Sequence, residues 1–237
     1  MKIQNAHERL RSTWGTIDAQ HNQLVASRLV GKRVLDVGCG YGSLVAYLTA
    51  QGFAAEGWDY DPESIRISDN LFPGGNVKLV SVDGELPAAP GTFDSIVLKD
   101  SLHHLAGEGD IEKGFANIRT LLKDGGRLVI LDPNPTTLVR FARKLVSHVD
   151  PEAPLDLALE VLTKERFAVK TVDFYETIGL PLSGGYVGLR LVPNWRPLNS
   201  LLAAANERLS HAATRLGVGR SVCWRYIIAA DKLDKLS

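Results

Sequence analysis

Apolar residues along the chain fall into short runs separated by Gly, Pro and Asp, and the runs alternate between buried-strand and helical patterns. Val34, Leu35 and Val37 form the first strand-like run, and Leu44, Val45, Tyr47 and Leu48 then mark a short amphipathic helix that ends at Gly52, a residue suited to the left-handed C-terminal position. A strand over 53–58 leads to Asp61-Pro62-Glu63, where Asp61 can cap a helix, Pro62 suits its first position and Glu63 favours its positive end. A strand over 77–82, a Pro-rich loop and a strand over 93–99 follow. Ile111, Phe115, Ile118, Leu121 and Leu122 then set out a helix closed by Gly125-Gly126, before a fifth strand over 127–131. Thr136 or Thr137 caps one more helix through Leu138, Val139, Phe141, Ala142, Leu145 and Val146. Five such βα units predict a parallel sheet with right-handed crossovers.

The flanks depart from this rhythm. Leu10, Trp14, Ile17, Leu24, Val25 and Leu29 predict one or two N-terminal helices with a break near Gly15. After the fifth unit come a helix over 155–162, a strand over 167–174 and a segment over 176–197 that mixes Gly, Pro, Leu, Val and Trp without period. A helix over 199–216 carries Leu201, Leu202, Ala205, Leu209 and Ala213 on one face and ends at Gly217. In the last strand, 221–230, Val222, Trp224, Tyr226 and Ile228 share one parity, which fits an antiparallel strand beside its predecessor. The insertion of about 45 residues, 176–220, far exceeds a hairpin loop. Leu180, Leu182, Tyr186, Val187, Leu189, Leu191, Val192 and Trp195, with Gly184, Gly185 and Gly188, suit a lid over an apolar or aromatic acceptor; a homodimer surface or a satellite core would use the same residues.

Composition narrows the function classes. With 237 residues, 45% hydrophobic, the chain suits one domain with an elaboration. Lys plus Arg (27) balance Asp plus Glu (27), leaving no positive field for a phosphate backbone or an anionic bilayer, so nucleic acid is a poor partner. Cys39 and Cys223 belong to no CxxC pair or metal-ligand spacing, which suits a reducing cytoplasm and no metal. The first residues lack an apolar signal core, and no apolar run approaches the roughly 20 residues of a membrane span, so a soluble chain without stable membrane insertion is expected.

The chemistry-bearing residues gather at predicted strand ends, where open parallel sheets bind their ligands. Asp36 ends the first strand, Asp59 the second and Asp83 the third, while Lys99, Asp100, His103 and His104 end or follow the fourth and Asp132 the fifth. Gly38, Gly40 and Gly42 follow the first strand, so backbone N–H groups at the next helix start are free to meet a nucleotide-like ligand. A dinucleotide fold places its third glycine where this chain has Ser43, and Asp36 two positions before Gly38 suits a ligand with a cationic end. A nicotinamide dehydrogenase is disfavoured.

VLDVGCGYGSL, GWDYDP, SVDGELP, FDSIVLKDSLHHL and GGRLVILDPNP, in that order over residues 30 to 135, resemble the class I S-adenosylmethionine-dependent methyltransferase family. The resemblance implies an α/β fold with a seven-stranded, mostly parallel, doubly wound sheet and a late antiparallel strand. It divides the chain into an N-terminal helical cap (1–30) and a methyltransferase domain (31–237). It implies S-adenosyl-L-methionine as cofactor. Asp36, Gly38, Cys39, Gly40 and Gly42 would face its methionine part and ribose, Asp59 its ribose hydroxyls, Tyr60 its adenine face, and Asp83 with Gly84 the adenine edge; Lys99 joins this set.

The acceptor side is less defined. His103 or His104 can serve as general base, His103 foremost, or can merely pack the loop; Asp132 and Asn134 can orient a hydroxyl or amine, or cap the next helix. Cys39 suits a small filler better than a nucleophile. Methyl transfer to O, N or C of a small, apolar or aromatic acceptor is the expected reaction, a non-catalytic cofactor-binding scaffold the alternative.

Overall fold

The computed structural model describes residues 7–8, 10–137, 140, 151–179 and 193–233, and its seven strands are β1 (Arg33–Val37), β2 (Ala54–Asp59), β3 (Val77–Leu79), β4 (Phe93–Lys99), β5 (Leu122–Pro133), β6 (Phe167–Tyr175) and β7 (Arg225–Lys232). They form one sheet in the order β3-β2-β1-β4-β5-β7-β6, parallel from β3 to β5, with β7 antiparallel to both β5 and β6. Helices α1 (Thr13–Ala26), α2 (Ser43–Ala50), α3 (Pro62–Leu71), α4 (Leu102–Gly107), α5 (Ile111–Leu121), α6 (Leu155–Lys164), α7 (Arg196–Arg215) and α8 (Gly219–Val222) flank it. The chain reverses strand order between β1 and β4, which opens a crevice at their carboxyl ends.

The strands read as near-continuous apolar runs because both sheet faces are covered. Leu35, Ile96, Leu98, Leu128, Ile130, Tyr226 and Ile228 pack on one face with Phe115 and Ile118 of α5 and Leu155 and Leu162 of α6. Val34, Val97, Val129, Leu131 and Ile227 face the other way, against Val25 of α1 and Leu44, Val45 and Leu48 of α2. Of the expected parity of the last strand, Tyr226 and Ile228 share one face and Ile227 takes the other, whereas Val222 lies in α8 and is exposed; β7 is buried on both sides from Arg225 to Ala230 because both faces of the sheet are covered.

Several expectations are corrected. The N-terminal break falls at Arg11–Ser12, and Gly15 lies inside α1, where the Leu10 carbonyl comes so close that an added Cβ would stand 2.0 Å from its oxygen. β3 stops at Leu79, because residues 80–82 leave the sheet toward the ligand crevice. Gly125-Gly126 do not end a helix: α5 stops at Leu121 and both glycines lie within β5, Gly125 at φ +68°, where the pairing shifts between Phe93–Leu122 and Ser95–Arg127. The last strand starts at Arg225, after α8. Helix α7 buries Asn199, Ala203, Asn206, Ser210 and Ala213 rather than its leucines, so Leu201 and Leu209 are exposed. The helix expected through Leu138, Val139, Phe141, Ala142, Leu145 and Val146 lies outside the described residues, although Thr137 and Arg140 are helical. The lid residues 180–192 also lie outside them; Trp195 is described, and exposed. Among the described residues, no helix is long and apolar enough to cross a membrane.

At α3 the expected cap is present. Asp61 accepts from Glu63 N (3.0 Å) and Ser64 N (3.1 Å), with Pro62 at the first position. Asp61→Ala should cost about 1 kcal/mol, read as a lower urea midpoint at unchanged slope.

Candidate active site

The chain leaves β1 through Gly38, Gly40 and Gly42, with φ of +70°, +52° and +80°, a region in which other residues are strained. A Cβ on Gly38 would stand 2.4 Å from the Ser101 Cβ, so this glycine lets the loops after β1 and β4 close on each other. Gly40 has open space where a Cβ would be. Beside it, at the tip of β2, Asp59 accepts from Gly40 N through Oδ2 (2.7 Å) and from Asp61 N through Oδ1 (2.9 Å). Burial pushes the Asp59 carboxyl above its usual range, and these two N–H groups oppose the shift.

Gly38, Gly40, Asp59, Tyr60 and Asp83 line a cavity of about 400 Å³, within the size range of small-molecule sites. Asp100, Ser101 and His104 form the wall across it. The Tyr60 hydroxyl donates to Glu108 Oε2 (3.1 Å), and His104 Nδ1 lies 3.5 Å from Glu108 Oε1 at the rim. Asp83 accepts from Ser81 Oγ and from Asp110 N (3.0 Å), which holds its carboxyl below the usual range.

The other expected cofactor residues stand outside this lining. Cys39 turns its sulfur to Gly57, where a Cβ would come within 2.7 Å of it, and burial raises its thiol pKa. Gly42 is the N-cap of α2, and Gly84 packs over the Ser81 carbonyl. Asp36 on β1 and Lys99 at the end of β4 are buried polar residues. Lys99 Nζ donates to Asp18 Oδ1 and Asn22 Oδ1 (both 2.6 Å), and Ser43 Oγ donates to Asp18 Oδ2 (2.9 Å). Asp36 Oδ1 is enclosed without a protein partner, and burial pushes this carboxyl up to about 8, against the pull of Lys99.

His103 and Asp132 are brought together, but as a buried pair. His103 Nδ1 lies 3.0 Å and 3.2 Å from the two Asp132 oxygens, and neither residue lines the cavity. Burial raises the Asp132 carboxyl despite the imidazole. Asn134 uses its amide to hold the Arg220 and Cys223 carbonyls (both 2.9 Å). His104, not His103, reaches the cavity. Asp100, at φ +57°, pairs with Arg225 Nη1, whose Nε donates to Glu176 Oε2 (2.8 Å). Burial alone would raise the Asp100 carboxyl, but Arg225 outweighs it and holds the value at about 2.

Asp18, His21, Asn22, Glu176 and Arg225 were not legible as site-adjacent. A signal existed on α1: Asp18, His21 and Asn22 share the helical face of Ile17 and Val25, so that face carries polar groups into the protein. Nothing comparable marks Glu176 or Arg225.

A family described as a methyltransferase domain matches residues 7–170. The ubiquinone biosynthesis O-methyltransferase of Burkholderia orbicola (strain MC0-3) is 35% identical over 116 residues, covering 47% of this chain and 46% of that protein. O-methyltransferase rstn1 of Aspergillus nomiae is 32% identical over 168 residues, covering 65% of this chain and 72% of that protein. The chain thus spans under half the length of the Burkholderia relative. A SAM-dependent methyltransferase from Archaeoglobus fulgidus shares the fold, with TM-score 0.64 and 19% identity over 91% of this chain and 93% of that one. With the glycine loop, the strand-tip acids and a match over residues 7–170, the chain belongs to the methyltransferase-domain family.

Proposed function

We propose that this chain transfers the methyl group of S-adenosyl-L-methionine to a small organic acceptor. Asp59 carries the reading: each of its oxygens is already held by one backbone N–H, and the carboxylate borders a cavity floored by Gly38 and Gly40 and edged by Asp83. A carboxylate fixed in this way has lone pairs left for two vicinal ribose hydroxyls. The partnerless Asp36 oxygen and the open space at Gly40 fit a ligand with a cationic amino-acid end lying over the loop. When bound, the cofactor supplies an electrophilic methyl group on a sulfonium.

The protein's part is positional. Tyr60 offers a half-exposed ring to the adenine face, and Asp83 an acceptor to its edge. The His103–Asp132 pair, enclosed behind the wall, orients α4 so that His104 faces the cavity, which gives it a holding role rather than that of a base. Holding an acceptor in line with the methyl group is worth on the order of 7–11 kcal/mol of barrier. The names of both curated relatives, O-methyltransferases, and the balanced net charge support a small acceptor.

The test combines two measurements. Calorimetric titration with S-adenosylhomocysteine should give one site per chain, and methyl-labelled cofactor incubated with a fractionated cell extract should yield label in small, organic-soluble products. Label confined to protein or nucleic acid would sink the small-acceptor reading, and absent binding the cofactor itself.

A further inference from the structure

Helix α7 is inside out: it turns Asn199, Asn206 and Ser210 toward the protein and leucines toward solvent. The inward polar groups are matched. Thr13 Oγ1 donates to Asn199 Oδ1 (2.7 Å), the Thr177, Ile178 and Gly179 N–H groups all donate to Asn206 Oδ1, and Ser210 Oγ donates to the Asn206 carbonyl (2.7 Å). The outward leucines are not. Leu201, Leu209 and Leu216 are 65%, 46% and 76% exposed, and with Ala205 and Ala212 they make one stripe along a helix about 30 Å long. Helix α5 by contrast shows solvent Glu112, Lys113, Ala116 and Thr120.

The apolar surface continues past both ends of the stripe. Trp195, the N-cap, is 62% exposed, and Val218 and Val222 at α8 are exposed as well. Six of the ten large apolar residues that stand exposed among the described residues thus fall between 195 and 222, which makes a patch and not a scatter. Its charge is equally one-sided. Residues 193–222 hold Arg196, Arg208, Arg215 and Arg220 against one acid, Glu207, although the whole chain balances 27 cations with 27 acids. Arg220 pairs with Asp156 (2.7 Å). Arg208 and Arg215 run along one edge of the stripe, each one position before a leucine, and both are exposed with no ion pair among the described residues.

We propose that α7 and α8 form a docking surface for an anionic lipid bilayer. The helix lies flat on it, with the leucines at the boundary of headgroups and acyl chains, the Trp195 ring at headgroup level and the arginines at lipid phosphates. Charge selects this occupant. A second copy docked by a twofold axis would gather the arginines of both chains with only Glu207 of each to offset them, whereas an anionic surface attracts every one. The inference stands independently of the methyl-transfer reading.

The test is sedimentation of the full chain with vesicles of phosphatidylglycerol and phosphatidylcholine in equal parts, beside vesicles of phosphatidylcholine alone. Affinity for the anionic vesicles should be higher by about tenfold or more, and the difference should shrink as salt rises from about 0.05 M to about 0.5 M. Arg208→Gln with Arg215→Gln should lower that affinity by about ten- to thirtyfold. Leu201→Ser with Leu209→Ser and Leu216→Ser should lower it by about a hundredfold. Lipids brominated in their acyl chains should quench the fluorescence of wild type more than that of Trp195→Phe, since Trp58 and Trp224 are buried. Thermal melting checks the fold of each variant, and the arginine pair carries the test if the leucine variant fails to fold. No binding, equal affinity for both vesicle types, or affinity unchanged in a folded variant would overturn the proposal. So would a wild-type dimer in sedimentation velocity that the leucine substitutions dissolve, because the face would then belong to a second copy.

Discussion

Asp59→Ala should weaken S-adenosylhomocysteine binding by roughly a hundred- to ten-thousandfold, the loss of two hydrogen bonds to a charged group at about 1.5–3 kcal/mol each. The size of the effect follows from how the carboxylate is held. Gly40 N and Asp61 N fix its two oxygens at 2.7 Å and 2.9 Å, so it meets a diol without reorganising. Alanine removes the acceptors for the ligand and also releases Gly40 N, while Gly38 N and Cys39 N still hold the loop to the Trp58 carbonyl of β2. Asp59→Asn separates the two effects, because an amide retains one acceptor oxygen and turns a donor toward either Gly40 N or Asp61 N, where it has nothing to accept it. An intermediate loss is expected for asparagine. Titration calorimetry gives both values, and thermal melting of the ligand-free variants shows whether the fold survived. A loss below tenfold in a folded Asp59→Ala protein would take Asp59 out of the cofactor site.

What the sequence disclosed and what it hid follow from range. Local rules carried the helix cap at Asp61, the end of α2 before Gly52 and the left-handed glycines after β1, because each depends on residues a few positions apart. Strands β1 and β4 were legible because a strand covered on both faces reads as a near-continuous apolar run, and β2 because Gly52 and the Asp61 cap bound it on either side. The face of α7 was misread for the complementary reason. Its leucines formed the better apolar stripe, yet Asn199, Asn206 and Ser210 turn inward, since Asn206 and Ser210 satisfy backbone groups at the end of β6 that periodicity does not reveal. The site divides the same way. Asp59 and Tyr60 stand where the end of β2 places them and Asp83 reaches the cavity through the segment that leaves β3 at Leu79, whereas the pairing of Glu176 with Arg225, 49 positions apart, exists only through the antiparallel insertion of β7. Strand order also explains His103: register of β4 on β5 sets Lys99 beside Leu131, so the next loop brings His103 onto Asp132 before it can reach the cavity.

Asp36→Asn should stabilise the ligand-free protein at pH 8 and abolish most cofactor affinity. The Asp36 carboxyl has its pKa raised from 3.8 to about 8 by burial, with Lys99 partly offsetting the shift and Asp59, Asp18 and Asp100 adding to it. Between those values the folded protein keeps a proton that the unfolded chain has released, so stability falls as pH rises, by up to about 1.4 kcal/mol per pH unit. The contribution is intact below pH about 4 and lost by pH about 8. Asparagine cannot ionise, so its melting temperature should pass that of wild type increasingly, with a gap that widens by roughly 3–4 kcal/mol from pH 5 to pH 8. A cationic ligand end reverses the balance, because it pairs with the carboxylate that the empty site disfavours. Wild-type affinity for S-adenosylhomocysteine should therefore rise from pH 5 to pH 8, and that of Asp36→Asn should stay low and flat. A stability gap independent of pH would mean that Asp36 ionises normally in the folded chain; a widening gap with unchanged ligand affinity would mean that its buried charge serves the fold and not the cofactor.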